Sequence, residues 1–435
     1  MSTIDTIPAV DKNEKPVLPK RFVAAVLLGN MLEFYDYLIF AYFAVYIAKA
    51  FFPNSTADDA LIRTLAIFAG GFLARPLGAF VIGRVADRRG RKPAMIVSFV
   101  MMGVAGLGMA ATPSTATIGV AAVLLLVFFR LLQSFALGGE VGAISAYLVE
   151  SAPADRRGAY MALQTVTEAL GSALAGFVGY ILSTVLDREN FERYGWRIAL
   201  LVGFLIVPIG VIARRKLPES APILEATSDP KRAKEEVQWR PYLVPIAIGF
   251  VGLSCATFIG YSQNYTTTYV LHTLHGQPRV AFILPLVNNT CQVIFAVLSG
   301  RLSDKFGRKP ITIISSIALA VAVLPVFFSI IRFQAPAILY IGIGLLTTLG
   351  AFSSGPVSLY LTEALPPRIR AGAVGIVYAC ATTVFGGSTQ LVLTWMISRT
   401  GNPMVPAYCW AAAALAGGLV FMFARETAPA KHQAI

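Results

Sequence analysis

"GRVADRRGRKP", residues 83–93, returns as "GRLSDKFGRKP", residues 300–310, with seven of eleven positions identical. A second pair follows at nearly the same offset: "LVESAPADRRG" from residue 148 and "LTEALPPRIRAG" from residue 361, which align Glu150 with Glu363. Each polar segment interrupts long apolar runs, and each echo falls after the matching run of its half. Two echoes at one spacing mean that the chain is built from two similar halves.

The apolar runs fix the class. Of 435 residues, 56% are hydrophobic and 14% charged, with a mean hydropathy of +0.68; soluble domains carry about 25% charged residues. Twelve runs, near 21–48, 61–83, 94–112, 117–149, 158–186, 196–214, 242–271, 280–300, 310–331, 336–362, 371–398 and 405–424, are long enough to cross a hydrocarbon core. Strict alternation is missing, so helices rather than a barrel are expected. The predicted fold is an all-α membrane protein of twelve transmembrane helices in two six-helix halves. Its parts are a tail at 1–19, a first half at 20–214, a linker at 215–241, a second half at 242–424 and a tail at 425–435.

The net charge of +13 does not point to nucleic acid. Of 36 Lys and Arg, 26 fall in segments that one orientation puts inside and eight in outer loops, the positive-inside pattern. Both termini are therefore expected in the cytoplasm, with the chain in a bacterial inner membrane. The polar first 19 residues carry no cleavable signal. Cys255, Cys291, Cys380 and Cys409 stand singly in apolar runs and read as packing residues. No metal-ligand spacing and no nucleophile–base cluster is present, so neither an enzyme nor a cofactor is expected.

Charges inside the runs are the exceptions. "GNMLEFYDYLIF", residues 29–40, puts Glu33 and Asp36 on one helical face, extended by Asn30 and Tyr37. Arg75, Arg130, Glu140 and Glu168 are also embedded. At roughly 2.5–3.5 kcal/mol each, six lipid-facing charges would cost on the order of 15 kcal/mol. They must face a cavity or one another. After Pro241 the acids are Asp304, Glu363 and Glu426, all at helix ends. Arg130 aligns with Ile343, so it has no counterpart. The second half offers neutral groups instead: Tyr261, Asn264, Tyr265, Tyr269, Asn288, Asn289 and Gln390. His272 and His275 lie at the outer end of the seventh run.

At the repeated loop the chain resembles the major facilitator superfamily. "GFLARPLGA" (71–79), "RLLQSFALGGEVG" (130–142) and "WRIALLVG" (196–203), with "GNMLEFYDY", resemble its metabolite:proton symporters, the carriers of citrate, α-ketoglutarate, shikimate and proline or betaine. "YIAKAFFP" (46–53) and "VFGGSTQ" (384–390) look most like the citrate branch; Glu168 departs from it, and "YTTTY" (265–269) has Thr267 where that family has proline. The resemblance implies proton-coupled import of a small organic anion by a monomer in the lipid bilayer. Arg130 takes the position of the superfamily's fourth-helix arginine. Arg130, Arg75, Tyr37, Gln133, Tyr265, Asn264, Asn288, Asn289 and Gln390 become substrate candidates. Glu33, Asp36, Glu140 and Glu168 become proton carriers. Asp87, Arg88, Gly90, Arg91, Asp304, Gly307, Arg308, Glu150 and Glu363 become the elements that latch one rocking half on the other. Moving one charge across 150 mV is worth about 3.4 kcal/mol, so a trianion needs some three protons merely to cancel the field. Zwitterion uptake in an aromatic cage, shikimate-like acids and drug or metabolite export are the competing readings.

Overall fold

The structure, a computed structural model, describes residues 20–151, 157–215, 240–365 and 367–428. Both tails up to residue 19 and from 429, and linker residues 216–239, lie outside the described residues. Among the described residues the twelve helices of the bundle are α1 (Lys20–Tyr42, continued by Ala44–Phe51), α2 (Ala57–Gly71 and Ala74–Arg89), α3 (Arg91–Ala111), α4 (Val120–Ser151), α5 (Arg157–Val185) and α6 (Trp196–Arg215). They continue as α7 (Leu243–His272), α8 (Pro278–Phe306), α9 (Arg308–Phe333), α10 (Pro336–Glu363), α11 (Pro367–Ala381 through a π turn to Gly387–Thr400) and α12 (Val405–Phe421). Ten are long and apolar enough to span a bilayer, the bent α1 makes an eleventh, and α12, at 17 residues, is the shortest.

Two helices break within their spans. In α2 the ladder tightens at Phe72 and Leu73, and Pro76 follows. A proline lacks the N–H and crowds the carbonyl four residues back, here that of Phe72. α1 bends by 58° between Tyr42 and Ala44, where Thr268 of α7 donates to the Ala41 carbonyl at 3.3 Å. With threonine at 267, α7 runs unbroken.

Hydropathy ends α2 near 83 and α8 near 300, yet both helices run on as polar turns to Gly90 and Gly307. Those glycines share one conformation, φ 98° and ψ 163° against φ 111° and ψ 147°. Side chains with a Cβ hardly enter it, so the repeat seen in the sequence is also a repeat of backbone.

Within the first half α2 and α4 touch backbone to backbone. A Cβ on Gly78 would lie 1.9 Å from the Phe135 carbonyl oxygen, and one on Gly138 2.2 Å from that of Arg75. The halves meet along α5 and α8, α2 and α11, and α1 and α7. Gly176 packs on Pro285, Gly179 on Phe282 and Gly387 on Phe72. These contacts lie toward the end opposite the Gly90 and Gly307 loops. Ala74–Arg89 and Pro367–Ala381, toward the loop end, pack chiefly within their own halves among the described residues.

At that loop end Arg308 pairs with Asp304 at 2.5 Å and Glu363 at 2.9 Å, and donates to Ser303 Oγ at 2.6 Å. Glu426 caps α9, accepting from the Arg308 and Lys309 amides at 2.8 and 3.2 Å. The expectation of a latch between halves meets a different arrangement here: Arg308 binds α8 and α10 of its own half. Arg88 is exposed, and the side chains of Asp87, Arg91 and Glu150 lie outside the described residues.

A methyl at Gly307 would sit 2.5 Å from Glu426 Oε2 at a φ of 111°. Gly307→Ala is expected to cost about 1–3 kcal/mol and to lower the melting temperature of the detergent-solubilised protein. A native melting temperature would contradict this account of the cap.

Candidate substrate and proton site

Helical spacing assembles the centre from three elements. α1 presents Glu33, Asp36 and Tyr37 on one face, and α4 presents Arg130, Gln133 and Ser134 at the i, i+3 and i+4 positions. The break before Pro76 delivers Arg75 from α2. Glu33, Asp36 and Tyr37 are 1%, 6% and 1% exposed, and Arg130 and Gln133 are fully buried. Arg75 is half-buried.

Gln133 joins a carboxylate to a guanidinium. Its Nε2 donates to Asp36 Oδ2 at 2.7 Å, and its Oε1 accepts from Arg130 Nη1. Arg130 Nη1 also lies 3.4 Å from the Tyr37 carbonyl oxygen. The other Asp36 oxygen, Oδ1, is held between two helices: Cβ atoms on Gly106 of α3 and Gly203 of α6 would come within 2.9 and 2.7 Å of it.

Rings, rather than carboxylates, hold the two arginines. The Arg130 guanidinium carbon lies 4.4 Å from the Tyr37 ring centre, 4.8 Å from Phe40 and 4.4 Å from Phe68. Arg75 lies 4.7 Å from the same Tyr37 ring and 3.9 Å from Phe72. Aromatic faces stabilise a cation without consuming its N–H donors. Accordingly Nε and Nη2 of both arginines have no hydrogen-bond partner among the described residues. Buried donors left in this way cost about 1–3 kcal/mol each, which an anion's oxygens would recover.

The second half contributes through Tyr261, which reaches from α7 to Tyr37 and Arg75 and packs edge-on against Phe72 at 5.7 Å. Tyr378 of α11 faces Arg75 and Glu168. Asn264 and Asn289 join the halves: Tyr42 donates to Asn264 Oδ1 at 3.0 Å and is 2.6 Å from Ser172 Oγ, to which Asn289 donates at 2.8 Å. Asn30 donates to Thr167 at 2.9 Å. Asn288 and Tyr265 are not brought to this centre. Asn288 donates to the Gln263 carbonyl and accepts from Thr347, and Tyr265 accepts from Thr394, all inside the second half. Gln390 is fully buried on α11. The Glu140 side chain lies outside the described residues. His272 pairs with Asp58 at 2.8 Å, joining α7 to the start of α2 far from the centre. Sequence reasoning missed Tyr42, Ser172, Tyr378, Gly106 and Gly203. Glycines at helix contacts were its only signal for the last two.

The sequence profile of the Major Facilitator Superfamily matches residues 26–387 and, in a second match, 250–434. The citrate-proton symporter of Salmonella typhi is 31% identical over 401 residues, covering 91% of each chain. The alpha-ketoglutarate permease of Escherichia coli (strain K12) is 30% identical over 386 residues, covering 88% of each. In fold, the crystal structure of a D-xylose-proton symporter matches with a TM-score of 0.78 over 94% of this chain and 99% of that one, at 19% identity.

The slot around Asp36 is open to direct test. Gly203→Ala is expected to destabilise the protein by about 1–3 kcal/mol, as overpacking does. The same change in an Asp36→Ala background is expected to cost less than half as much, because the clashing carboxylate is gone. Thermal melting of the four proteins of this cycle measures the coupling; additive effects would contradict the slot.

Proposed function

The chain belongs to the Major Facilitator Superfamily, and we propose that within it this multi-pass membrane protein is a proton-coupled symporter importing a small di- or tricarboxylate by alternating access. The observation that carries this reading is the pair of ring-held guanidinia on Tyr37, with unpartnered donors on both. Such a pair is complementary to a carboxylate-bearing anion. Asp36 and Glu33, buried on the same face of α1, supply the proton-carrying groups. The relatives named for citrate and α-ketoglutarate support the same substrate class.

The loop charges support an inner-membrane orientation with both termini cytoplasmic. In that orientation the joined end of the halves is the outer one, and the described state faces inward. A zwitterion cage finds less support. Tyr265 and Tyr269 are spent on Thr394 and the Pro403 carbonyl, and the site's own arginines lie against the Tyr37 and Phe72 rings.

Proteoliposomes with an inward proton gradient are expected to accumulate labelled citrate or α-ketoglutarate, and to lose the accumulation when the gradient collapses. Arg130→Lys removes the planar fork and is expected to cut uptake about tenfold or more, given roughly 1.5–3 kcal/mol for a charged hydrogen bond. Asp36→Asn and Glu33→Gln are expected to abolish uphill uptake with the protein still in the membrane. Normal uphill uptake in both carboxylate variants would sink the reading, as would competition by betaine alone.

A further inference from the structure

For a chain that works as the proton–anion symporter proposed above, we infer that the Gln133 side-chain amide is the coupling element, reporting the protonation state of Asp36 to Arg130 by turning over. Gln133 is a positioning residue. It bridges the two groups with opposite ends, its Nε2 on Asp36 Oδ2 and its Oε1 on Arg130 Nη1. That polarity is forced while Asp36 is ionised, because a carboxylate only accepts and a guanidinium only donates.

A proton arriving at Asp36 forms an O–H bond on one of two oxygens. Oδ1 is walled by Gly106 and Gly203 and has no hydrogen-bond partner among the described residues, so an O–H there would be left unsatisfied. On Oδ2 the new O–H points at Nε2, donor against donor. Half a turn of the amide removes that conflict, with Oε1 accepting the carboxyl proton. Nε2 then faces Arg130 Nη1, again donor against donor and now beside a positive charge. Arg130 keeps only the Tyr37 carbonyl at 3.4 Å, and its guanidinium is released to take a substrate carboxylate. Loss of the proton reverses each step. By reciprocity, an anion on Arg130 favours the protonated carboxyl.

Several charged and titratable groups surround this link. Arg130 on α4 and Tyr35 on α1 act on Asp36 directly, and Glu33 shares its helix face. α3 and α6 present glycines there. Arg75 of α2 and Tyr261 of α7 lie at Tyr37, and Glu168 of α5 faces Tyr378.

The test is equilibrium binding of labelled α-ketoglutarate, in a pH range where it stays fully ionised, to the purified full-length protein. In the native chain, affinity is expected to fall up to tenfold per pH unit above the titration of Asp36. Asp36→Asn should flatten the profile. Gln133→Met fills the same volume without either hydrogen bond, leaves Arg130 unheld at every pH, and should bind more tightly than the native chain at high pH with the pH slope at least halved. Gln133→Glu places two carboxyls on one proton and should move the profile to higher pH. A native slope in Gln133→Met, or a native midpoint in Gln133→Glu should the Met variant not fold, would overturn the amide link while the symport reading stands. A native chain that binds neither α-ketoglutarate nor citrate at any pH would overturn both.

Discussion

A fully buried guanidinium is the constraint on which this structure depends. Arg130 is fully buried near the middle of α4, and no carboxylate touches it directly among the described residues. Three rings from α1 and α2 surround it, at separations of 4.4–4.8 Å. Each desolvated contact of this kind is worth about 2 kcal/mol, which offsets part of the cost of burying the charge. The requirement propagates outward. For Phe68 of α2 to reach Arg130, α2 and α4 must lie close, a contact that the glycines at 78 and 138 allow. Gly71 leaves the space that the Arg130 stem and Ser134 occupy.

The second half answers a different demand. Away from its helix ends its polar side chains are neutral, and many are spent internally, as Asn288 and Tyr265 are. Several neutral side chains that cross to the first half make single hydrogen bonds there: Asn264 with Tyr42, Asn289 with Ser172, Thr268 with the Ala41 carbonyl. A neutral bond of this sort is worth about 0.5–1.5 kcal/mol net. An interface closed by several such contacts and by small-residue packing can be exchanged for its opposite. One closed by buried ion pairs could not be opened so cheaply. The strong pairs, Arg308 with Asp304 and Glu363, lie within a half, where nothing has to part.

The fold was legible in the sequence because lipid imposes long apolar runs and the repeat imposes symmetry. Helix ends were less so: hydropathy stops at the membrane surface, while α2 and α8 continue as polar helix to a positive-φ glycine. The Pro76 break could be read, but the bend at Phe43 follows no local signal and depends on Thr268, 225 positions away. The burial of Glu33, Asp36, Arg130 and Gln133 could be read because charge is expensive in lipid and helical spacing gives the face. That Asn288 and Tyr265 turn to partners within the second half could not be read, for the complementary reason. A helix that is apolar all round has no polar face to mark which way a neutral side chain points.

Asp36, Gln133 and Arg130 all belong to the first half, and so does Arg75. In a cycle that rocks one half against the other, their mutual distances need not change, and a linkage between proton and anion can operate whichever side is open. What changes is the cover. Tyr261 and Tyr378 arrive from the second half, and the Phe72–Tyr261 contact closes over Arg75 at the joined end. On the proposed symport reading, this division assigns affinity to one half and access to the other. It also explains why Arg130 needs no counterpart at Ile343, which is buried in the second-half core. A second cation there would bind the anion to both halves at once and resist their separation.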